Sequence, residues 1–261
     1  MKQIGLIQHS EAAFLAAYNP RAYTPVAVTV DIAALSIRAG RLVVLLARRA
    51  NPPFAGAWCL PGGFLVPDPD GSFPSLEQAA SRRLVIETGI SPDELVDVRL
   101  EQLASFGTPG RDPRMAVISV AYLAFGPHWP EPVAGRGVLE AAWVPVEEAL
   151  GLELAFDHAE ILAVALERVR AKFEYTSLAT SFLDPTFTIA QLQHIYEIVW
   201  GVKLLASGFR RKVRGSAFVV AVQGNGQRQG TRGGRLPQLY RAGDGSQLFP
   251  PIRRRGVETA S

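Results

Sequence analysis

The chain has 261 residues, 48% of them hydrophobic, so it can bury a sizeable core and is not a chain that is disordered throughout. Its single cysteine, Cys59, excludes an internal disulfide and fits a reducing compartment. The sequence has no apolar run near the roughly 20 residues of a membrane span, and its N-terminus is a poor signal peptide. We therefore expect a cytoplasmic protein without a membrane segment.

The net charge of +3 conceals an uneven distribution along the chain. Residues 1–170 contain 14 Lys and Arg against 19 Asp and Glu, a formal charge of −5. Residues 171–261 contain 13 Lys and Arg against 5 Asp and Glu, a formal charge of +8. This split predicts two modules with different partners, the second binding a polyanion, although charge alone leaves open a basic surface that is merely solvated.

Strand and helix patterns alternate in the first module. Residues 26–49 contain two apolar, β-branched runs around a Gly turn, which predicts a hairpin. After a Pro- and Gly-rich loop, Ser75 is a candidate N-cap and Gly89 a stop signal for an alanine-rich helix. The other predicted elements are strands over 115–125 and 141–146 and a helix around 157–173. Interleaved strands and helices indicate an α/β fold.

The second module begins near Phe173 and has the pattern of a helix-turn-helix followed by a wing. Thr188 as N-cap and Gly201 as stop signal enclose a helix with one apolar face. The other predicted elements are helices over 178–183 and 204–215 and strands over 217–222 and 238–241. A helical dimerisation or lid domain with a solvated basic face is the alternative, because any three-helix bundle can supply this pattern.

In a helix-turn-helix the second helix enters the major groove, so the exposed side of the helix over 204–215 should contact DNA. The loop between the two strands has five glycines and three arginines in thirteen residues, which suits a wing lying along phosphates or in the minor groove. The candidate DNA-binding residues are Ser207, Arg210, Arg211, Lys212, Arg214, Arg228, Arg232 and Arg235.

One stretch of the first module resembles the box of Nudix hydrolases: L-P-G-G-F, an alanine-rich helix, and R-x-L-x-x-E-T-G-I. On that resemblance the box arginine is Arg82 and the last box glutamate is Glu87, whereas the other three glutamates fall on Pro74, Arg83 and Ile86. The loop before the helix is also longer than the pattern. The resemblance covers about residues 25–165 and implies a Nudix-type α/β/α sandwich with a mixed sheet.

The eroded box predicts that no catalytic metal binds. Positions 83, 86 and 87 share one helix face, where Mg²⁺ would need carboxylate oxygens. Arg83 and Ile86 cannot ligate Mg²⁺, so we expect neither a catalytic residue nor a metal site here. Glu77 lies well around the helix from that face, and we discount it. Glu87 is expected to be a surface carboxylate that can pair with Arg83.

Candidate ligand-binding residues come from two arginine pairs. The segment F-G-T-P-G-R-D-P-R is similar to a loop in Nudix proteins that bind ADP-ribose and contains Arg111 and Arg114, whose guanidinium groups suit diphosphate oxygens. Arg48 and Arg49 end a strand before the box and form a second cationic rim of the same pocket, unless one of them is merely solvated. Solvated arginines on a Pro-rich turn are the alternative. His158 is expected to cap or pack a helix and is left out of the site.

Together the modules resemble the Nudix-related transcriptional regulators of NAD metabolism, the NrtR type. The resemblance implies a homodimeric repressor that binds double-stranded operator DNA, senses ADP-ribose or a related nucleotide and requires no cofactor. An active pyrophosphatase with an accessory C-terminal domain is the competing hypothesis. The expected parts are an N-terminal helical segment (1–24), a nucleotide-sensing domain (25–170), a winged helix (171–245) and a disordered basic tail (246–261).

Overall fold

The computed structural model describes residues 11–215, 218–222, 237–243, 248 and 251–254. Within these ranges no helix is both long and apolar enough to cross a membrane. The strands are β1 (Ala27–Arg38), β2 (Arg41–Arg49), β3 (Trp58–Cys59), β4 (Gly62–Phe64), β5 (Arg99–Phe106), β6 (Val117–Phe125), β7 (Val138–Pro145), β8 (Val219–Ala221) and β9 (Tyr240–Ala242). The α-helices are α1 (Glu11–Ala17), α2 (Leu76–Thr88), α3 (Val146–Ala149), α4 (His158–Tyr175), α5 (Ile189–Trp200) and α6 (Ala206–Arg214).

The first seven strands form one mixed sheet. Its central order is β3-β2-β1-β6-β5, with β4 pairing with β1 and β7 pairing with β2. β1 runs parallel to β6 from Ala27 opposite Val117 to Leu35 opposite Phe125, and its partners β2 and β4 are antiparallel. β1 and β6 are apolar along nearly their whole length because helices cover both faces of the sheet.

The helices on the two faces make the predicted sandwich. α2 covers one face and contributes Ala80 and Leu84 to a core with Ile32 and Tyr122. α4 covers the other face, where Ile161, Leu162 and Ala165 join Leu35 and Leu123 in the larger core. The expected α/β/α arrangement with a mixed sheet is confirmed.

Local capping explains where α2 begins and ends. The Ser75 hydroxyl accepts a hydrogen bond from the Gln78 N–H at 3.2 Å, and the Gln78 side chain accepts one from the Ser75 N–H at 2.9 Å. Gly89 closes the helix in the left-handed region with φ 65°, which favours glycine. The start and stop predicted from the sequence are confirmed.

The second module follows the predicted order with shifted bounds. Thr188 caps α5 through Gln191, and Gly201 ends it with φ 68°. α6 begins at Ala206, two residues later than predicted, and the helix expected over 178–183 is a 3-10 helix over Ser177–Phe182. β8 and β9 pair antiparallel as the stem of the wing.

The two modules share one hydrophobic core. α4 continues to Tyr175, so the predicted division at residue 170 falls inside a helix. The Tyr196 hydroxyl of α5 donates to the Phe173 carbonyl oxygen at 3.0 Å, and the Trp200 Nε1 donates to the Arg170 carbonyl oxygen at 3.2 Å. α5 therefore rests directly on the C-terminal half of α4.

The described residues of the tail over 246–261, where disorder was expected, pack onto α4. Leu248 and Ile252 are buried in the larger core. Their N–H groups donate to the carbonyl oxygens of Tyr175 at 2.7 Å and Glu174 at 3.0 Å. The last carbonyls of a helix have no partner within the helix, so α4 offers acceptors here. The buried Leu248 and Ile252, rather than the exposed Arg253 that follows, make the contact with α4.

Candidate functional site

A cavity of about 150 Å³ opens between α2, the β4 strand and the start of α4. Its lining is rich in charge. It includes the cations Arg49, Arg83, Arg111 and Arg114, the acids Asp31, Glu87 and Asp112, the rings Phe64, Phe156 and His158, and Thr29, Cys59, Leu60, Gly62 and Gly63. The Thr29 hydroxyl is buried and has no hydrogen-bond partner among the described residues.

Two glycines of β4 let the cavity form, because the strand approaches other groups too closely for a side chain. A Cβ at Gly62 would lie 2.5 Å from the Val30 carbonyl oxygen of the neighbouring strand. A Cβ at Gly63 would lie 2.8 Å from the Arg83 Cζ. The L-P-G-G-F stretch therefore brings bare backbone against the charged face of α2.

Glu87 faces this cavity, so the expectation of a surface carboxylate is wrong. It accepts a hydrogen bond from the Gly62 N–H at 3.1 Å. Burial raises the pKa of Glu87 to about 7, although the Gly62 N–H and the charge of Arg83 both act to lower it. The contact with β4, 25 residues earlier in the chain, buries a side chain that the helical pattern alone places on the surface.

Arg83 does not form the ion pair with Glu87 that its spacing allowed. Its Nη2 instead donates to the Phe64 carbonyl oxygen at 2.7 Å. The structure shows no carboxylate within 4 Å of this guanidinium among the residues it describes. Arg83 is thus a cation held at the cavity wall by a backbone oxygen.

Arg111 is the most enclosed charge of the site, with a side chain only 4% exposed. Its Nε and Nη2 donate to the two carboxylate oxygens of Asp157 at 2.7 and 2.6 Å, and Nη2 lies 3.4 Å from Asp31 Oδ2. Burial acts to lower the pKa of Arg111, but the two carboxylates outweigh it, so the pKa is raised. The loop that contains Arg111 is thereby tied to the start of α4.

His158, expected only to cap or pack a helix, lines the cavity. Its Nδ1 accepts a hydrogen bond from the Leu60 N–H at 2.9 Å, and its Nε2 lies 3.5 Å from Asp31 Oδ1. Burial lowers the pKa of His158, so the ring is neutral at neutral pH. The sequence segment A-F-D-H-A-E-I signalled this residue, but its contact with Leu60 joins positions 98 residues apart.

Two arginines lie against aromatic rings at the cavity. The Arg49 Cζ is 4.9 Å from the centroid of Phe156, and the Arg49 Nε donates to the Pro53 carbonyl oxygen at 2.8 Å. The Arg114 Cζ is 4.8 Å from the centroid of Phe64. Arg114 also pairs with Asp112 at 2.7 Å. Rings and guanidinium groups side by side can receive a base and a phosphate.

The structure separates the two arginines that end β2. Arg49 lines the cavity, whereas Arg48 lies outside it, donating to the Gly56 carbonyl oxygen at 3.0 Å and lying 3.7 Å from Glu140. Successive residues of a strand point to opposite faces, so the neighbours cannot share one rim. Arg49, Arg111 and Arg114 are therefore brought together, and Arg48 is not.

The residues present do not fit the magnesium ion that a Nudix box implies. No group of three or more His, Cys, Asp and Glu side chains within the described ranges could hold a metal ion. Ile86 is 42% exposed and offers no oxygen, and Glu77 is not part of the cavity wall. Asp31 is already engaged by Ser119 and Arg111. The oxygen-rich shell that Mg²⁺ requires is not assembled here.

α6 presents the predicted basic surface. Leu204, Phe209 and Val213 are buried against the core, as expected. Ser207, Arg210, Arg211 and Arg214 are exposed, and Lys212 is half-buried. The three arginines make no ion pair with any described residue. The wing candidates Arg228, Arg232 and Arg235 lie outside the described residues.

Comparison with known proteins gives a match for each module. Residues 26–165 match the family described as NUDIX domain, and residues 179–242 match the NrtR DNA-binding winged helix domain. The chain is 38% identical over 233 residues to the ADPR responsive transcriptional repressor NtrR of Acinetobacter baylyi. That alignment covers 89% of this chain and 88% of the relative.

Solved structures agree with both matches. Shewanella oneidensis NrtR complexed with a 27mer DNA is similar at a TM-score of 0.67 and 28% identity, covering 87% of this chain and 99% of that one. The NUDIX domain of Shewanella oneidensis NrtR complexed with ADP ribose is similar at a TM-score of 0.54 and 35% identity, covering 61% of this chain and 99% of that one.

Proposed function

The chain belongs to the NrtR family of Nudix-related transcriptional regulators, and from that premise we propose that it is an ADP-ribose-responsive repressor. It binds double-stranded operator DNA of genes for NAD biosynthesis or salvage. The observation that carries this proposal is an arginine-lined cavity and an exposed basic helix standing on one continuous core. Because the cavity and α6 are joined in this way, ligand binding in the cavity can change the free energy of DNA binding at α6.

The cavity supports the sensing role. Arg49, Arg111 and Arg114 converge there with Phe64 and Phe156, as a dinucleotide-like ligand with a diphosphate and a base requires. A solved relative binds ADP ribose in its NUDIX domain. We propose the same ligand class for this cavity. Arg48, which the sequence grouped with these residues, acts at most from outside it.

α6 supports the DNA-binding role. Its exposed Ser207, Arg210 and Arg211 lie towards the N-terminal and middle turns, the part of a recognition helix that meets base edges. Arg214 and the wing residues Arg228, Arg232 and Arg235 add contacts to phosphates. A homodimer places two copies of α6 on two half-sites, and a ligand that alters their spacing changes operator affinity.

The proposed role excludes ordinary hydrolase activity. Arg83 and Ile86 occupy box positions where the Nudix pattern has carboxylates, so the helix face lacks the oxygens that would hold a catalytic metal. This supports a regulator that binds its nucleotide without cleaving it. The protein needs no cofactor in this role.

The test is fluorescence anisotropy of the full chain on promoter duplexes of NAD-synthesis genes, with and without ADP-ribose, NAD and AMP. We expect specific binding that saturating ADP-ribose changes by about 5- to 150-fold, with smaller effects of NAD and AMP. The Arg210→Ala/Arg211→Ala double variant is the matched control and should bind weakly under all conditions. If none of the nucleotides changes the affinity for the operator, the proposed sensor role is wrong.

A parallel assay follows AMP release from ADP-ribose with Mg²⁺ present. We expect none above the rate without protein. Release at an ordinary enzymatic rate of about 1 per second or more would instead establish the pyrophosphatase hypothesis.

A further inference from the structure

Arg83 stands where a Nudix box carries a metal-binding glutamate, and it reaches the same cavity. Its guanidinium lies against the bare backbone of Gly63 and is fixed by the 2.7 Å hydrogen bond to the Phe64 carbonyl oxygen. One donor is used there, so other N–H donors of the fork remain for a ligand. The position therefore supplies a localised positive charge instead of an oxygen ligand.

The charges around the cavity are only partly matched. Arg111 is neutralised by Asp157 and Asp31, and Arg114 by Asp112. Arg83 and Arg49 are hydrogen-bonded to backbone oxygens and have no carboxylate within 4 Å among the residues that the structure describes. The remaining acid of the wall, Glu87, forms no ion pair with either of them and has a pKa raised to about 7, so these two cations are only partly balanced.

A diphosphate ester has one ionised oxygen on each phosphate at neutral pH, so it needs two positive charges in a buried site. In an enzyme with a complete carboxylate face, Mg²⁺ supplies much of that charge. Here the carboxylates are gone and the wall supplies two unpaired guanidinium groups. Of the three box positions that lack a glutamate, position 83 is the one where a cation has replaced the carboxylate.

We infer that the Arg83 guanidinium takes the place of the divalent cation, so that the effector binds as a metal-free diphosphate anion held by Arg83 and Arg49. This inference rests on the proposed sensing of a nucleotide. The affinity of the cavity for ADP-ribose then does not depend on Mg²⁺. Its occupancy is set by the concentration of free ADP-ribose rather than by that of the magnesium complex.

The experiment is isothermal titration calorimetry of the full chain with ADP-ribose, once in EDTA and once in excess Mg²⁺. We expect the two dissociation constants to agree within about twofold, since Mg²⁺ has no ligand set in the cavity. An affinity that requires Mg²⁺, or rises more than about tenfold with it, would overturn the inference while leaving ADP-ribose sensing intact. Absence of heat in both buffers would contradict the proposed function itself.

Two variants of Arg83 test whether its positive charge contributes to the affinity for ADP-ribose. Arg83→Gln keeps a polar side chain with an N–H donor but shortens it and removes the cation, and we expect the affinity in EDTA to fall by about 10- to 100-fold. Arg83→Lys restores the charge without the fork and should recover part of that loss. Arg82→Gln is the matched control, because Arg82 is the preceding residue of α2 and pairs with Asp68 outside the cavity.

Thermal unfolding of each variant separates folding from binding. A folded Arg83→Gln protein that binds ADP-ribose as tightly as the parent chain would refute the role of Arg83. Equal losses for Arg82→Gln and Arg83→Gln would also refute it, because they would show a general charge effect of α2. If Arg83→Gln does not fold, the comparison of EDTA with Mg²⁺ on the parent chain and on Arg83→Lys decides.

Discussion

The arginines of the cavity and the arginines of α6 differ in how firmly they are held. Arg111 is 4% exposed and fixed by two carboxylates, and Arg83 is fixed by a backbone oxygen. Arg210 and Arg211 are exposed and make no ion pair with any residue in the described ranges. The same side chain thus serves as a pre-positioned donor in one region and as a solvated charge in the other.

This difference suits two kinds of anion. Guanidinium groups that are already ordered lose little conformational entropy when a small ligand binds, so they contribute to affinity and selectivity. Exposed guanidinium groups bind DNA largely by releasing counterions, so their contribution falls as salt rises. We expect nucleotide binding to depend weakly on ionic strength and DNA binding to depend strongly on it.

The largest effect is expected at the most enclosed arginine. Arg111→Ala leaves Asp31 and Asp157 without their cation in a buried site, which should lower the free energy of unfolding by about 3–5 kcal/mol. Urea unfolding measures this loss. Arg41→Ala is the control, since Arg41 pairs with Glu147 and Glu148 on the surface and its removal should change little. Equal losses in both variants would mean that burial does not distinguish the two kinds of arginine.

The next largest effect tests whether the cavity and α6 unfold as one cooperative unit. Ile252 is fully buried on α4, and Ile252→Ala should lower the free energy of unfolding by about 3 kcal/mol in a single transition. Arg253→Ala, at the neighbouring exposed position, should change it by less than about 0.5 kcal/mol. Two separate unfolding transitions in the parent chain would show that the cavity and α6 are independent.

A pH-dependent effect is expected from Glu87. Burial raises its pKa from 4.5 to about 7, so the folded protein keeps a proton that the unfolded chain has lost. The stability that this protonated group contributes is fully present below pH 4.5 and is lost as the pH rises through about 7.

Glu87→Gln cannot ionise, so it should be more stable than the parent chain by about 3 kcal/mol at about pH 8 and equally stable below pH 4.5. Urea unfolding across this range gives the difference, with exposed Glu153→Gln as the control. A difference between Glu87→Gln and the parent that stays constant with pH would exclude the raised pKa.

The smallest effect is expected on DNA. Arg211→Ala should weaken operator binding by about 1–3 kcal/mol if the side chain contacts a base edge. Removing Arg232 of the wing should weaken binding to all sequences and reduce the salt slope by about 1. Anisotropy at several salt concentrations measures both, with Arg82→Ala in α2 as the control. Unchanged affinity in both variants would favour a solvated basic face.

Features that depend on neighbouring residues could be predicted from the sequence. Ser75, Gln78 and Gly89 fix the ends of α2 through contacts within one turn, so the pattern of residue types was sufficient. The exposed side of α6 followed from helical spacing for the same reason. The α/β/α arrangement followed from apolar runs together with the family resemblance.

Features that depend on distant residues could not be predicted from the sequence. The burial of Glu87 depends on Gly62, and the place of His158 depends on Leu60, so neither follows from local spacing. The basic composition of the tail indicated disorder, whereas Leu248 and Ile252 find acceptors and apolar neighbours on α4. Tertiary contacts overrode the local pattern at each of these positions.

α4 touches the ligand cavity at one end and carries the DNA-binding helices at the other. Its first residue lies beside the Arg111–Asp157 pair, and its last turns hold α5 and the tail. Eighteen helical residues make a rod of about 27 Å, so a tilt of a few degrees at the start displaces the far end by about an ångström or more. A small shift at the Arg111–Asp157 pair would therefore be enlarged at the far end of α4, where α5 and the tail pack.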